Sequence, residues 1–198
     1  MNPKVRYILC IDQATANMGW SLCAINEFNF KPLKYGLHKS KSTLPNGERY
    51  YLKMNFIRSI IEQLSKSNIK ISCVILEEVP MHNDKPKVRD VLNQLLGCIK
   101  MGLWLDNIDL EEQNPNHWKA RVGIRSKDKC SQKVEGMARV KDMFGIEVET
   151  DDVSDSILIG LASTKDGLYN KIIERERIEF EKSEKAEKKR RKANNEKA

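Results

Sequence analysis

Apolar stretches alternate with polar turns along the first part of the chain, and their spacing predicts three strands followed by a helix. Residues 5–12 (VRYILCID) are apolar almost throughout, and residues 18–26 are similarly apolar beyond a short polar turn. A weaker third strand is expected over 33–39, and the short connections favour an antiparallel meander. A helix is expected over 48–65. Its apolar stripe comprises Met54, Ile57, Ile61 and Leu64.

The second part alternates strands and helices. Residues 71–79 (ISCVILEEV) are apolar at odd and even positions, which is typical of a parallel strand covered on both faces. A helix is expected over 88–106 and a short strand over 108–112. Further helices are predicted over 116–122, 127–144 and the segment TDDVSDSILIGLAST at 150–164. With right-handed crossovers, this order predicts an α/β fold of the ribonuclease-H-like kind, with a mixed five-stranded central sheet and helices on both faces.

The last residues differ in composition from the rest. Of the net charge of +7, residues 171–198 contribute +4, from 11 Lys/Arg and seven Asp/Glu, and almost nothing apolar follows Phe180. Pairs of Glu and Lys can support a helix to about Lys192, but nothing in the pattern would bury it. We therefore expect a folded domain over 1–170 and a charged extension over 171–198 that is helical in part and otherwise disordered. The cluster at 188–192 (KKRRK) suits either DNA affinity or solubility.

Composition excludes several classes of protein. The chain of 198 residues is 40% hydrophobic and 32% charged, and no apolar run approaches the roughly 18 residues of a membrane span. The first residues lack the apolar stretch of a signal peptide, which predicts an intracellular protein. The five cysteines show no zinc-like spacing. Four are expected to be reduced core residues (Cys10, Cys23, Cys73 and Cys98), and Cys130 is expected to be exposed.

Carboxylates end two of the predicted strands. Asp12 ends the first, and Glu77 and Glu78 end the fourth, which should lie beside the first. Each follows a long apolar run without an adjacent Lys or Arg. Because an unpaired carboxylate beside a core is costly, a positive group should lie nearby, and a metal ion is the natural candidate.

A pair of aspartates heads the last apolar helix. Asp152 and Asp155 are spaced i, i+3 and so share one helix face, whereas Asp151 suits a cap or first-turn acid. Together with Asp12 and one glutamate, they would place four carboxylates at one sheet edge. Oxygen ligands favour Mg²⁺ or Mn²⁺. Two such ions about 3.5–4 Å apart can hydrolyse a phosphodiester. Taken singly, each acid also fits a turn, a solvated strand edge or a cap.

Three motifs resemble those of RuvC-type Holliday-junction resolvases. ILCIDQATANMGWSLCAI resembles the family's first strand with its catalytic Asp and Gly-aromatic second strand, CVILEEV the strand with the catalytic Glu, and DDVSDSILIGLA the final helix with its D-x-x-D pair. The resemblance implies a Mg²⁺-dependent, structure-selective endonuclease, a crossover junction endodeoxyribonuclease, that cleaves Holliday junctions and other branched DNA by a two-metal mechanism. It also implies a role in recombination, repair or phage genome processing.

Carried over by position, the resemblance implies four catalytic and metal-binding acids: Asp12, Glu77, Asp152 and Asp155. Parity along the strand does not separate Glu77 from Glu78. The family's glutamate directly follows the apolar run, which favours Glu77.

The segment NPNHWKARVGIRSKDK resembles one found especially in phage-borne members, where it leads into a basic stretch that contacts DNA. Lys119 and Lys129 match positions of functional lysines in the family. Fifteen residues hold six cations opposed by one acid, Asp128. The six are Lys119, Arg121, Arg125, Lys127, Lys129 and Lys133. They can neutralise phosphates beside a metal site, although a solvated helix surface explains any one of them equally well. Trp118 is interpreted as a packing anchor.

Departures from the family pattern bear on specificity. Gln13-Ala14 replaces the usual turn after the first Asp, which should change only the geometry of that turn. The second departure is that Val79-Pro80-Met81-His82 lacks the aromatic wedge with which bacterial cellular members enter the junction. We therefore expect weaker selectivity for junctions and broader cutting of forks and flaps. The resemblance to phage-borne members implies a place in the cytoplasm of a bacterial host.

Family members act as homodimers, and the helix over 88–106 carries more apolar residues than one core face needs. Part of it can form a dimer face, although plain burial explains the excess equally well. The apolar positions are Val91, Leu92, Leu95, Leu96, Ile99, Met101, Leu103, Trp104 and Leu105.

Two alternative functions are less consistent with the sequence. A ribonuclease-H-like DNA-binding factor that has lost cleavage is opposed by the presence of all four acids. An actin-like or sugar-kinase-like ATP-binding protein needs a duplicated domain and a second Gly-rich phosphate loop, for which the chain is too short.

Overall fold

A mixed five-stranded sheet forms the centre of the protein, in the order β3-β2-β1-β4-β5. The structure is a computed structural model that describes residues 4–80 and 86–195. The strands are β1 Arg6–Asp12, β2 Asn17–Ile25, β3 Phe30–Lys39, β4 Ile71–Glu77 and β5 Leu110–Gln113. The helices are α1 Asn46–Lys66, α2 Pro86–Leu105, α3 Pro115–Val122, α4 Lys129–Phe144, α5 Asp151–Lys165 and α6 Leu168–Asn195. The predicted ribonuclease-H-like architecture is confirmed.

Strand pairing brings the ends of β1 and β4 together. The strands β1, β2 and β3 pair antiparallel, as the meander prediction required, and β4 pairs parallel with both β1 and β5. Ile11 lies opposite Leu76 in the parallel register, so the next residues, Asp12 and Glu77, lie side by side at the carboxyl edge. On the other side of β1, Asp12 lies opposite Gly19.

The two faces of the sheet carry separate apolar clusters. Ile8 and Cys10 of β1 contribute to the cluster under α5, whereas Leu9 and Ile11 contribute to the cluster under α1 and α2. Because successive residues of a strand point to opposite faces, a strand covered on both sides must be apolar at every position. This explains the unbroken apolar runs of β1 and β4.

Helix α5 lies directly on the sheet because two glycines admit it. A Cβ on Gly19 would lie 1.9 Å from the carbonyl oxygen of Asp152, and one on Gly160 would lie 2.5 Å from Cys10 Sγ. The hydroxyl groups of Ser156 and Ser163 donate to carbonyls of the helix itself, which satisfies them in this buried setting. The N-terminal turn of α5 is thereby held against β2 at the carboxyl edge.

Helix α6 stays attached to the domain beyond residue 170. Ile172 is buried, contrary to the expectation that nothing would bury this segment, and Arg6 Nε donates to Glu176 Oε1 at 2.7 Å. Arg175 also pairs with Glu111 of β5. The side chains over 176–190 are exposed.

The cysteine prediction was wrong at one position. Cys10, Cys23 and Cys73 are buried and Cys130 is exposed, as expected, but Cys98 is exposed because it lies on the outward face of α2. None of the helices in the described part of the chain is long and apolar enough to cross a membrane. Of the four residues at the expected wedge position, Met81 and His82 lie outside the described residues.

We predict that Gly19→Ala lowers the free energy of unfolding by roughly 2–3 kcal/mol, because the added methyl group must push the first turn of α5 away from β2. Urea denaturation followed by circular dichroism measures the loss. Gly47→Ala is the matched control, since a Cβ there meets nothing within 4 Å. Equal effects of the two substitutions would contradict the close approach of α5.

Candidate active site

Four acids from three elements interact at the carboxyl edge of the sheet. Asp12 is the last residue of β1, Glu77 the last of β4, and Asp152 and Asp155 lie in the first turns of α5. Burial raises the pKa of Asp12 well above its ordinary value, and the negative charges of Glu77, Asp155 and Asp152 raise it further. The structure therefore brings together all four acids singled out in the sequence.

The other three acids also hold protons more tightly than isolated carboxyl groups. Burial raises the pKa of Asp155 to about 7, with Glu77 adding to the rise and Lys119 opposing it. Burial likewise raises the pKa of Glu77, against the opposing effects of a hydrogen bond from Trp118 and the charge of Lys119. Burial and Asp151 raise the pKa of Asp152. Clustered carboxyl groups with raised pKa values are typical of catalytic and metal sites.

The two consecutive glutamates have different surroundings. Trp118 Nε1 donates to Glu77 Oε1 at 2.8 Å, and Gln13 Nε2 donates to the Glu77 carbonyl oxygen at 2.8 Å. The Glu78 carboxylate instead accepts from Asn114 Nδ2 at 3.0 Å. The charge of Glu77 raises the pKa of both Asp12 and Asp155, which favours Glu77 as the glutamate of the acid cluster.

Asp151 is a first-turn acid. Thr150 occupies the N-cap position of α5, and its side chain makes no capping hydrogen bond. Asp151 follows it in the first turn, where the helix dipole favours a negative charge, and pairs with Lys133 Nζ at 2.6 Å. The sequence allowed Asp151 to be either the cap of α5 or an acid in its first turn, and in the structure it is the first-turn acid.

Only some of the six predicted DNA-contacting cations lie near the acids. Lys119 acts on Glu77 and Asp155 and donates to Gln132 Oε1 at 3.2 Å, and Lys133 pairs with Asp151. Arg121 points elsewhere, because its Nε donates to Asp166, the C-cap of α5, at 2.6 Å. The remaining three are exposed along the α3–α4 connection and the start of α4: Arg125, Lys127 and Lys129.

Lys53 of α1 was missed by the sequence analysis. Its side chain is fully buried, and its Nζ donates to the Ala16 carbonyl oxygen at 3.3 Å in the β1–β2 turn. Burial and the charge of Arg49 together lower the pKa of Lys53 to about 8, against the opposing effect of Asp152. The available signal was a lysine on the apolar stripe of a helix, between Tyr50 and Ile57.

Trp118 is fully buried, as expected of a packing anchor, but its hydrogen bond to Glu77 was not foreseen. A buried indole usually finds an acceptor for its N–H group. The sequence alone does not indicate which acceptor lies within reach.

The chemistry of the donor set suits a hard divalent cation. Four neighbouring carboxyl groups with raised pKa values offer oxygen ligands of the kind that Mg²⁺ and Mn²⁺ prefer. Within residues 4–80 and 86–195, however, no three Asp, Glu, His or Cys side chains stand together as a ready-made ligand group. Binding an ion would therefore require the carboxylates to turn toward it.

Comparison with solved structures identifies the fold. The chain is similar to Thermus thermophilus RuvC in complex with a Holliday junction substrate, with a TM-score of 0.63 and 15% identity over 80% of this chain and 92% of that one. The chain has the ribonuclease-H-like fold of RuvC. A second T. thermophilus RuvC structure matches with a TM-score of 0.61 and 15% identity, over 83% and 97% of the two chains. The fowlpox virus Holliday junction resolvase matches with a TM-score of 0.50 and 16% identity, over 81% and 99%. No protein-family profile and no curated protein sequence matches the chain.

We predict that the metal-free protein loses stability as the pH rises from about 4 to about 7. Asp155 has a pKa of about 7 in the folded state, raised from an ordinary value of 3.8, so the unfolded chain releases this proton first. Each such proton contributes a slope of at most about 1.4 kcal/mol per pH unit. Urea denaturation in the presence of a chelator, repeated at several pH values, measures how the free energy of unfolding changes with pH.

Asp155→Asn should flatten this slope, because asparagine does not titrate. Magnesium should restore stability at pH 7 to the wild-type protein more than to the variant. An unchanged slope in Asp155→Asn would contradict the assignment.

Proposed function

We propose that the protein is a Mg²⁺-dependent, structure-selective DNA endonuclease that cleaves Holliday junctions and other branched DNA. The observation that carries this proposal is the grouping of Asp12, Glu77, Asp152 and Asp155 at one sheet edge, in a fold shared with RuvC. The activity is that of a crossover junction endodeoxyribonuclease, acting in recombination, repair or phage genome processing.

The four acids would hold Mg²⁺, or Mn²⁺ in its place, with two ions per site. When bound, these ions would activate the attacking water and neutralise charge on the scissile phosphate. Hydrogen bonds from Trp118 to the Glu77 carboxylate and from Gln13 to the Glu77 carbonyl oxygen hold Glu77 at the edge of the site. Lys119 and Lys133 lie beside the acids, where they would attract the phosphate backbone.

The exposed cations extend this attraction away from the acids. Arg125, Lys127 and Lys129 are solvent-exposed and would contact backbone phosphates on either side of the cleaved bond. Arg121 is engaged with Asp166 and should contribute least. The charged segment over 171–198 would add nonspecific affinity or solubility.

The outer face of α2, defined by Cys98, Met101, Trp104 and Leu105, supports a homodimer. Three of these side chains are 65%, 75% and 55% exposed (Met101, Trp104 and Leu105), whereas Leu95, Ile99 and Leu103 are buried against the sheet. A large apolar patch left in water favours association. A second copy packed there would place two sites on opposed DNA strands.

We propose further that forks and flaps are substrates as well as four-way junctions, because Val79-Pro80-Met81-His82 contains no Phe, Tyr or Trp to insert into a junction. If purified protein cut mobile four-way junctions far faster than forks and flaps, this part of the proposal would be wrong.

We predict that Asp12→Asn and Asp155→Asn each abolish Mg²⁺-dependent nicking while DNA binding persists, since each removes an ion ligand and leaves the basic surface intact. Labelled junction, fork, flap and linear duplex, with Mg²⁺ or Mn²⁺, provide the assay. Glu78→Gln is the matched control and should retain most activity, because Glu78 bonds to Asn114.

Cleavage unchanged in both aspartate variants would contradict the site assignment. Wild-type protein that binds branched DNA without cutting it would favour the alternative of an inactive DNA-binding factor.

We predict that Trp104→Glu converts a dimer to a monomer, because the substitution places a charge in the middle of the outer face of α2. Light scattering at working concentration measures the mass, and paired cleavage of a junction should fall to single nicks. Phe180→Glu is the control, since Phe180 is 64% exposed on α6. A wild-type monomer would count against paired cleavage.

A further inference from the structure

Helix α3 contacts both glutamates at the end of β4. Trp118 donates to the Glu77 carboxylate and Asn114 to that of Glu78, at 2.8 Å and 3.0 Å. The backbone between them is also fixed, because Glu78 N donates to the Gln113 carbonyl oxygen at 2.9 Å and so continues the pairing of β4 with β5. One short helix therefore determines where two neighbouring carboxylates point.

The side chain of Asn114 can present only its amide NH₂ group to Glu78. Its Oδ1 is engaged as the N-cap of α3, accepting from Asn116 N at 3.1 Å and from His117 N at 3.4 Å. Because Oδ1 points into the helix, Nδ2 points away from it, where its N–H groups can donate to a carboxylate. The side chain of Asn114 thus both caps α3 and holds the Glu78 carboxylate in place.

The indole of Trp118 is equally restricted. It is a donor only, and it is fully buried in the apolar cluster under α5, so its N–H group cannot turn to solvent. Its bond engages Oε1 of Glu77 and leaves Oε2 for an ion. Glu77 is also the glutamate that acts on Asp12 and Asp155.

We propose that Trp118 and Asn114 are positioning residues that sort the two glutamates, with Trp118 aiming Glu77 at the acid cluster and Asn114 holding Glu78 away from it. This inference rests on the proposed function, in which the acid cluster binds divalent ions. Groups that orient ion ligands in this way commonly alter ion affinity about 10- to 100-fold when removed.

The test is Trp118→Phe in the full chain, which keeps an aromatic ring and removes the N–H donor. The Mg²⁺ concentration for half-maximal nicking should rise about 10-fold, with little change in the rate at saturating Mg²⁺, because Glu77 is less well aimed but still present. Calorimetric titration with Mn²⁺ alone should show the same loss. Trp20→Phe is the matched control, since Trp20 packs on Phe56 on the opposite face of the sheet.

Two further measurements distinguish orientation of Glu77 by the Trp118 hydrogen bond from a role of Trp118 in core packing alone. In a nitrogen-15 spectrum, Glu77→Gln and added Mg²⁺ should each shift the indole resonance of Trp118 and leave those of Trp20 and Trp104 in place. Asn114→Ser keeps a capping oxygen and frees Glu78, so it should weaken Mn²⁺ binding by less than Trp118→Phe does. Adding Glu78→Gln to Asn114→Ser should restore affinity.

Unchanged Mn²⁺ affinity in Trp118→Phe, or an indole resonance indifferent to Glu77→Gln, would overturn the proposal. Its failure is distinct from that of the proposed function. If Asp12→Asn and Asp155→Asn abolish nicking and Trp118→Phe leaves the ion requirement unchanged, only the positioning role is wrong.

Discussion

The close approach of α5 to the sheet is the constraint on which the candidate site depends. Because Gly19 has no side chain, the backbone of Asp152 lies against β2, and Gly160 leaves room for the Cys10 side chain of β1. Ile157 of α5 is buried in the cluster between the helix and the sheet. Any larger residue at position 19 would meet the Asp152 carbonyl group. The backbone of the two aspartates at the head of this apolar helix is thereby held near the ends of β1 and β2, and only their side chains remain able to turn.

That closeness has an electrostatic cost, which the surrounding lysines offset only in part. Lys119 lowers the pKa of Asp155, yet burial and neighbouring charge still leave it at about 7. Lys53 lies within electrostatic range of Asp152 but donates to the Ala16 carbonyl oxygen, and Lys133 is engaged with Asp151. The acids are therefore held together by packing against their own repulsion, a state that protons or divalent cations relieve.

Much of the fold was predictable because burial imposes simple periods on the sequence. The unbroken apolar runs of β1 and β4 indicated strands covered on both faces, and acids at their ends followed directly. Three features were beyond pattern analysis because each depends on a contact between distant residues. These are the bond from Lys53 to the Ala16 carbonyl oxygen in the β1–β2 turn, the Trp118 bond that distinguishes Glu77 from Glu78, and the pairing of Arg121 with Asp166 away from the acids.

If these acids form an ion-binding site, crystals grown with Mn²⁺ should show it by diffraction at the manganese absorption edge. Anomalous density is expected at the carboxyl edge of the sheet, bounded by Asp12, Glu77, Asp152 and Asp155. Absence of density there at saturating Mn²⁺, or density only at other acids such as Asp109 and Glu111, would contradict it.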